Sequence, residues 1–124
     1  MNNIMIIIRP MIGVELFEMT DEEVQLEDIH STIDADYLAI DRLTDEIELW
    51  VDDEGMVNGS ANRLGAFSIF DADVERLGQV MYAGTAVLVR ANQDDQSEHS
   101  LGFSLERAKQ IVTSLSFQGV ANVF

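Results

Sequence analysis

Carboxylates are the residues of this chain that could do chemistry, and they are unevenly spaced. The 124 residues hold 23 Asp and Glu against seven Lys and Arg, for a net charge of −16. Sixteen of these acids fall within residues 15–54, where Arg42 is the only Lys or Arg. Paired carboxylates can serve as general acid and base when burial separates their pKa values. The densest runs, residues 21–23 and 52–54, lie at a predicted helix start and a predicted turn. Water screens them there, so the sequence predicts no catalytic residue.

The sequence also predicts no metal site and no cofactor. The chain has no Cys, and His30 and His99 are far apart and belong to no ligand-spaced motif. The acids of residues 52–54 precede Gly55, but the alternating ligands of a calcium loop are absent. Neither phosphate-binding fingerprint occurs. A non-enzymatic protein is therefore expected.

A segment rich in Gly and Asn, residues 55–66, supports an alternative hypothesis. Asn58, Asn62 and Arg63 could line a small-ligand pocket in the loop that ends at Ala66, with Arg63 able to bind a phosphate or carboxylate. Asn and Gly also satisfy the backbone of ordinary turns. Under this alternative the chain is a small-ligand-binding or sequestering domain.

The strands that position these residues follow from the hydrophobic pattern. Apolar runs and period-two alternation predict strands over residues 4–9, 11–19, 36–52, 67–70 and 85–90. The third segment is a hairpin that turns at Thr44-Asp45, and residues 86–89 are expected to be buried on both faces.

Two helices complete the prediction. Residues 20–23 form a capping box before a helix whose buried stripe includes Val24, Leu26, Ile29 and Ile33. Ser104 is the expected cap of a second helix, with an apolar stripe from Leu105 to Leu115. Together the elements predict one acidic α+β domain over residues 1–124: a mainly antiparallel sheet of about five strands with two helices packed on one face.

The hairpin supplies the candidate binding surface. Alternation predicts that the apolar side chains of its two strands point inward: Leu38, Ile40, Ile47, Leu49 and Val51. The opposite, partner-binding face would then carry two aromatic residues and four acids: Tyr37, Asp41, Glu46, Glu48, Trp50 and Asp52. Aromatic anchors among carboxylates suit a basic protein partner, because the rings supply contact area and the acids supply steering.

A succession of elements resembles a known family. It comprises a strand ending at Pro10, an acidic helix, a hairpin strand running into residues 51–55, an Asn62-Arg63 pair and a strand over residues 84–89, closed by a C-terminal helix. This pattern is similar to that of small bacterial, phage and plasmid proteins known as domain of unknown function 3846. The family has no established activity, so the resemblance implies a phage or mobile-element context and no mechanism.

The leading hypothesis combines the acidic surface with that context. We expect an interaction protein that binds and blocks a basic, nucleic-acid-handling host protein, as a DNA-mimic inhibitor does. Direct nucleic-acid binding and membrane binding are disfavoured, because those surfaces attract Lys and Arg. The apolar run at residues 4–8 is too short for a membrane span and lacks a signal-peptide leader, which predicts a cytoplasmic protein.

Two further alternatives stay open. The acidity could be salt adaptation that serves only solvation, although salt adaptation should spread charge over the whole surface. Exposed edges on a small sheet would also permit a homodimer.

Overall fold

The computed structural model describes residues 1–55, 64–70, 81–92, 100–114 and 116–118. Its strands are β1 (Ile4–Arg9), β2 (Gly13–Glu18), β3 (Leu38–Arg42), β4 (Ile47–Asp52), β5 (Ala66–Phe70), β6 (Tyr82–Ala83), β7 (Ala86–Arg90) and β8 (Ser116–Gln118). Its described helices are α1 (Leu26–Thr32) and α2 (Leu105–Ser114). Five strands form an antiparallel sheet in the order β2-β1-β7-β4-β3. The α+β class and the five-stranded antiparallel sheet are therefore confirmed.

The inner strands β1 and β7 are buried on both faces, as the sequence predicted for residues 86–89. Ile6 lies opposite Leu88, and both belong to one hydrophobic core. Ile7 lies opposite Val87, and both belong to a second core. Because successive side chains of a strand point to opposite faces, the sheet is covered on both sides.

The two described helices lie on opposite faces of the sheet, so the prediction that both pack on one face is wrong. Ile29 of α1 belongs to the core that contains Ile7, which we call the α1-side core. Ile111 of α2 belongs to the core that contains Leu88, which we call the α2-side core. A sheet whose inner strands are apolar on both faces needs cover on both, and one helix supplies part of each layer. Neither described helix is long and apolar enough to cross a membrane.

A short second sheet shares the α2 side. Its strand order is β6-β5-β8, and Phe67 and Tyr82 of this sheet join the α2-side core. Their rings lie 5.6 Å apart. Helix α2 begins as the sequence predicted, because the Ser104 hydroxyl accepts a hydrogen bond from the Arg107 amide at 3.0 Å.

Helix α1 begins later than the sequence predicted. The capping box at residues 20–23 is not formed: the residue before the helix is Gln25, which makes no side-chain cap. Glu23 instead forms an isolated β-bridge with Leu101. Backbone pairing with a distant segment thus replaces the local cap. Val24, Ile29 and Ile33 are nevertheless buried, as their spacing predicted.

Residues 100–103 join three parts of the fold. Leu101 pairs with Arg90 of β7, and Phe103 exchanges two backbone hydrogen bonds of 2.8 Å with Ile4 of β1. The Gly102 amide donates to the Glu22 carbonyl at 2.8 Å. This segment therefore fixes the start of the acidic residues 20–37 against the central strands.

Candidate partner-binding surface

The hairpin register separates the residues that the sequence placed on one face. Leu38 pairs with Asp52, Ile40 with Trp50 and Arg42 with Glu48. Residues directly opposite each other share a face, so Leu38 and Ile40 lie on the face of Trp50. The prediction that they share a face with Ile47, Leu49 and Val51 is wrong. The physical reason is the loop of three residues, 44–46, closed by the hydrogen bond from the Leu43 amide to the Ile47 carbonyl at 2.9 Å.

Asp41 lies on the α2 side, away from Trp50. It pairs with Leu49 of the α2-side core, and its Oδ2 accepts a hydrogen bond from the Tyr82 hydroxyl at 2.7 Å. Asp41 thus ties the outer strand to the second sheet, and it does not share a face with the other predicted hairpin residues of β4.

Glu48 faces the α1 side but is mostly covered. Its side chain is 15% exposed and accepts a hydrogen bond from the Ser100 hydroxyl at 2.5 Å. Its other oxygen lies 3.5 Å from Arg42 Nη2. These contacts make Glu48 part of the packing between β4 and residues 100–103, so little of its carboxylate is left for a partner.

Glu46 lies in the hairpin loop and forms an ion pair with α2. Its Oε1 lies 2.7 Å from Arg107 Nε, and the two side chains are 38% and 43% exposed. A half-exposed pair of this kind is screened by solvent and counter-ions.

We expect this ion pair to contribute little to stability. A double-mutant cycle of Glu46→Ala and Arg107→Ala should give a coupling free energy of about 0.5 kcal/mol. The coupling should shrink in 1 M NaCl, because salt screens exposed charges. Chemical denaturation of the four proteins measures it. A coupling above about 1.5 kcal/mol that salt leaves unchanged would contradict this assignment.

Trp50 is partly buried against the α1-side core. Its indole Nε1 is buried and has no hydrogen-bond partner among the described residues. The ring borders a cavity of about 320 Å³ beside the first turn of α1, lined also by Leu26, Glu27 and Ile29. The tryptophan is therefore mainly a packing residue with one side open to this cavity.

Tyr37 and Asp52 complete the predicted set. Tyr37 is 64% exposed, and its carbonyl accepts a hydrogen bond from the Asp53 amide at 2.9 Å. Asp52 is half-buried, and its Oδ1 accepts from the Glu54 amide at 2.9 Å, which stabilises the turn after β4. The six predicted residues are thus divided between both faces and the loop.

The exposed acids are concentrated in the segment that covers the α1 side. This segment, residues 20–37, we call the acidic layer; it holds seven carboxylates and no Lys or Arg. Six of the seven are exposed: Asp21, Glu22, Glu23, Glu27, Asp34 and Asp36. By contrast, α2 on the other face carries Glu106 with Arg107 and Lys109. Charge is therefore unequal between the acidic layer and α2, the elements that cover the two faces, and the acidic layer is the better candidate surface.

Exposed apolar side chains accompany the acidic layer, and sequence reasoning missed them. Leu26 is 56% exposed and Ile40 is 53% exposed, although the pattern assigned both to the interior. Ile40 lies opposite Trp50 in the hairpin and so shares its face. The sequence could have indicated this only if the length of the hairpin loop had been known. Apolar contact area beside carboxylates is a common composition for a protein-binding surface.

Asn58, Asn62 and Arg63 lie outside the described residues. Leu64, the first described residue after them, borders a cavity of about 250 Å³ lined also by Asp34, Asp52 and Thr85. Two carboxylates there do not suit the anionic ligand that Arg63 would favour. Within the described ranges, no group of three or more His, Cys, Asp or Glu could hold a metal ion.

The comparisons with known proteins give a family. The family model described as Domain of unknown function (DUF3846) matches residues 1–114. No curated protein and no solved structure matches the chain.

Proposed function

The chain belongs to the family Domain of unknown function (DUF3846), and we propose that it is a non-enzymatic protein whose acidic layer binds a basic protein partner. The observation that carries this proposal is the difference in charge between the acidic layer and α2, which cover opposite faces of the sheet. Seven carboxylates lie in residues 20–37 without a Lys or Arg, while α2 on the opposite face contains one acid and two bases. A one-sided field of this kind steers a basic partner to one surface.

The same charge indicates the class of partner. Proteins that handle nucleic acids present Lys and Arg to phosphates, and an array of carboxylates can compete for those side chains. We therefore propose a basic, nucleic-acid-handling target whose nucleic-acid site the acidic layer occupies. Host inhibition by a phage or mobile element is the biological setting that this activity would serve.

A salt-adapted domain is the less supported alternative. Charge that serves only solvation should cover both faces, whereas the described α2 side is close to neutral on its helix. Binding of an anionic small ligand is also less supported, because the cavity beside Leu64 is lined by Asp34 and Asp52.

Charge reversal within the acidic layer tests the proposal. The pair Glu27→Lys and Asp36→Lys changes two exposed carboxylates of the layer. We expect about tenfold weaker binding to a basic protein captured from host lysate, since each exposed charge contributes up to about 1 kcal/mol. The dissociation constant should be measured by titration at 50 and 300 mM salt. Duplex DNA should compete with the wild-type protein for the target.

The matched control carries the same net charge. Glu18→Lys and Glu106→Lys also change the net charge by four units. Glu18 lies opposite Ile4 of the α2-side core, and Glu106 holds the first-turn position in α2 that Glu27 holds in α1. This control should bind like the wild type. Equal losses in both pairs would reduce the effect to net charge, and no loss in either would refute the proposed surface.

A further inference from the structure

Strand β3 is an edge of the five-stranded sheet, and no described strand pairs with its outer side. Building on the proposed function, we infer that this edge accepts an extended, basic segment of the partner as an added strand. Strand addition supplies affinity through main-chain hydrogen bonds and specificity through alternate side chains.

The backbone of β3 presents hydrogen-bonding groups to its outer side. The Asp53 amide donates to the Tyr37 carbonyl, and the Leu43 amide donates to the Ile47 carbonyl, both at 2.9 Å. Odd-numbered residues of β3 therefore direct their backbone groups toward β4. In an antiparallel pair these groups alternate, so the amides and carbonyls of Leu38 and Ile40 point away from β4, to the side on which no described strand pairs.

Exposed apolar side chains lie along the same edge. Ile40 is 53% exposed and Met81 is 55% exposed, and both border a cavity of about 280 Å³ beside β3. Tyr37, which immediately precedes the strand, is also exposed. An added strand would cover this apolar surface and place its own alternate side chains in contact with it.

Charge around the edge determines the kind of segment that fits. The cavity beside Ile40 is also lined by Asp41, Asp52 and Asp53, and Asp36 precedes the strand. Lys and Arg of an added strand would lie close to these carboxylates. Each edge also has one arginine beside it: Arg42 of β3 lies 3.5 Å from Glu48 Oε2 through its Nη2, and Arg9 Nη1 lies 2.9 Å from Glu15 Oε2 beside β2.

A second copy of this chain fits the β3 edge poorly. Pairing β3 with β3 of another copy would bring two proteins of net charge −16 together at their acidic edges. Like charges placed close together across paired strands destabilise the pair. Natural proteins use charged side chains on edge strands to prevent pairing between copies. Here the carboxylates beside β3 would repel a second copy and attract a basic segment.

Two substitutions at Ile40 separate strand addition from charge attraction. Ile40→Pro removes the outward amide and leaves the β3–β4 hydrogen bonds in place, because proline is tolerated on an edge strand whose N–H faces outward. Ile40→Thr keeps a β-branched residue and reduces the apolar surface. Glu18→Pro is the matched control on the edge strand β2.

The probe is a synthetic octapeptide of alternating valine and arginine, titrated by NMR on the full chain. We expect slower hydrogen exchange at the Leu38 and Ile40 amides on binding. We also expect at least tenfold weaker binding to Ile40→Pro than to Glu18→Pro, with Ile40→Thr in between. A peptide N-methylated at alternate residues keeps the charge and should bind at least tenfold more weakly.

Three outcomes would overturn strand addition. The first is peptide binding with unchanged exchange at these amides and unchanged affinity for Ile40→Pro; this would leave the proposed function intact, because the charge-reversal pair tests that separately. The second is no binding of the octapeptide at 1 mM. The third is a wild-type dimer in sedimentation that Ile40→Pro dissociates, which would assign the edge to a second copy.

Discussion

Gly102→Ala is expected to destabilise the protein by about 3 kcal/mol, at the upper end of the range for overpacking. A Cβ added at Gly102 would lie 2.8 Å from the Asn2 carbonyl oxygen, 2.8 Å from Asn3 Cα and 2.8 Å from Met19 Cε. Two of these atoms are backbone and cannot rotate away. The chain there is also fixed by the hydrogen bonds of Phe103 with Ile4. Urea denaturation measures the loss, and the melting temperature should fall by roughly 10 °C.

A second variant identifies the contact that matters. Met19→Leu withdraws the flexible Cε atom and leaves the two backbone contacts unchanged. The penalty of Gly102→Ala should therefore persist in the Met19→Leu background. The exposed substitution Gln110→Ala should change stability by less than about 0.5 kcal/mol. Full recovery of stability by Met19→Leu, or a loss below about 1 kcal/mol for Gly102→Ala, would contradict this assignment. Either result would show that the backbone of residues 2–3 shifts at low cost.

The strands of the five-stranded sheet were predictable because their signal is local, whereas the short strands β6 and β8 were not predicted. The observed β1 has the predicted bounds, and β7 begins one residue after the predicted start. The burial of residues 86–89 on both faces was also predictable from four consecutive apolar residues. That prediction already implied cover on both faces of the sheet, which conflicts with helices on one face. Burial of residues 86–89 on both faces was therefore sufficient to reject the placement of both helices on one face.

The faces of the hairpin were not predictable from its alternating pattern. Each strand alternates correctly, but the relation between the strands depends on whether the loop holds an even or an odd number of residues. Thr44, Asp45 and Glu46 form a loop of three, and the Thr44 hydroxyl accepts hydrogen bonds from the Glu46 and Ile47 amides at 3.1 Å. The third loop residue changes the register by one, so Ile40 lies on the exposed surface at the sheet edge and not in the expected interior.

The acidic character of the candidate site was predictable from the sequence, but the location of its carboxylates on the sheet was not. The concentration of acids in residues 15–54 is a property of the sequence. Their placement on one side depends on the path of residues 20–37 across the sheet, which long-range contacts determine. Tyr82, Ser100 and Arg107 contact Asp41, Glu48 and Glu46, and these partners are at least 41 positions away in the chain. Contacts between residues so far apart in the chain cannot be predicted from a local sequence pattern.

Ile7→Ala and Leu88→Ala are expected to cost about 2–5 kcal/mol each, a large share of the total for a domain of this size. Ile7 is 1% exposed in the α1-side core, and Leu88 is 0% exposed in the α2-side core. Each truncation leaves a cavity between packed layers that relax only partly. Equal costs on the two faces would follow from a sheet covered on both sides. Urea denaturation of both variants measures them.

Ile40→Ala is the control, because Ile40 is an isoleucine of the same sheet that is 53% exposed. It should cost less than about 0.5 kcal/mol in the absence of a partner, as surface substitutions generally do. A cost for Ile7→Ala that matched the cost for Ile40→Ala would mean that the α1 side is open to solvent. The acidic layer would then have no apolar core beneath it to hold its carboxylates in place. The stability of the α1-side core is therefore the physical condition for the proposed binding surface.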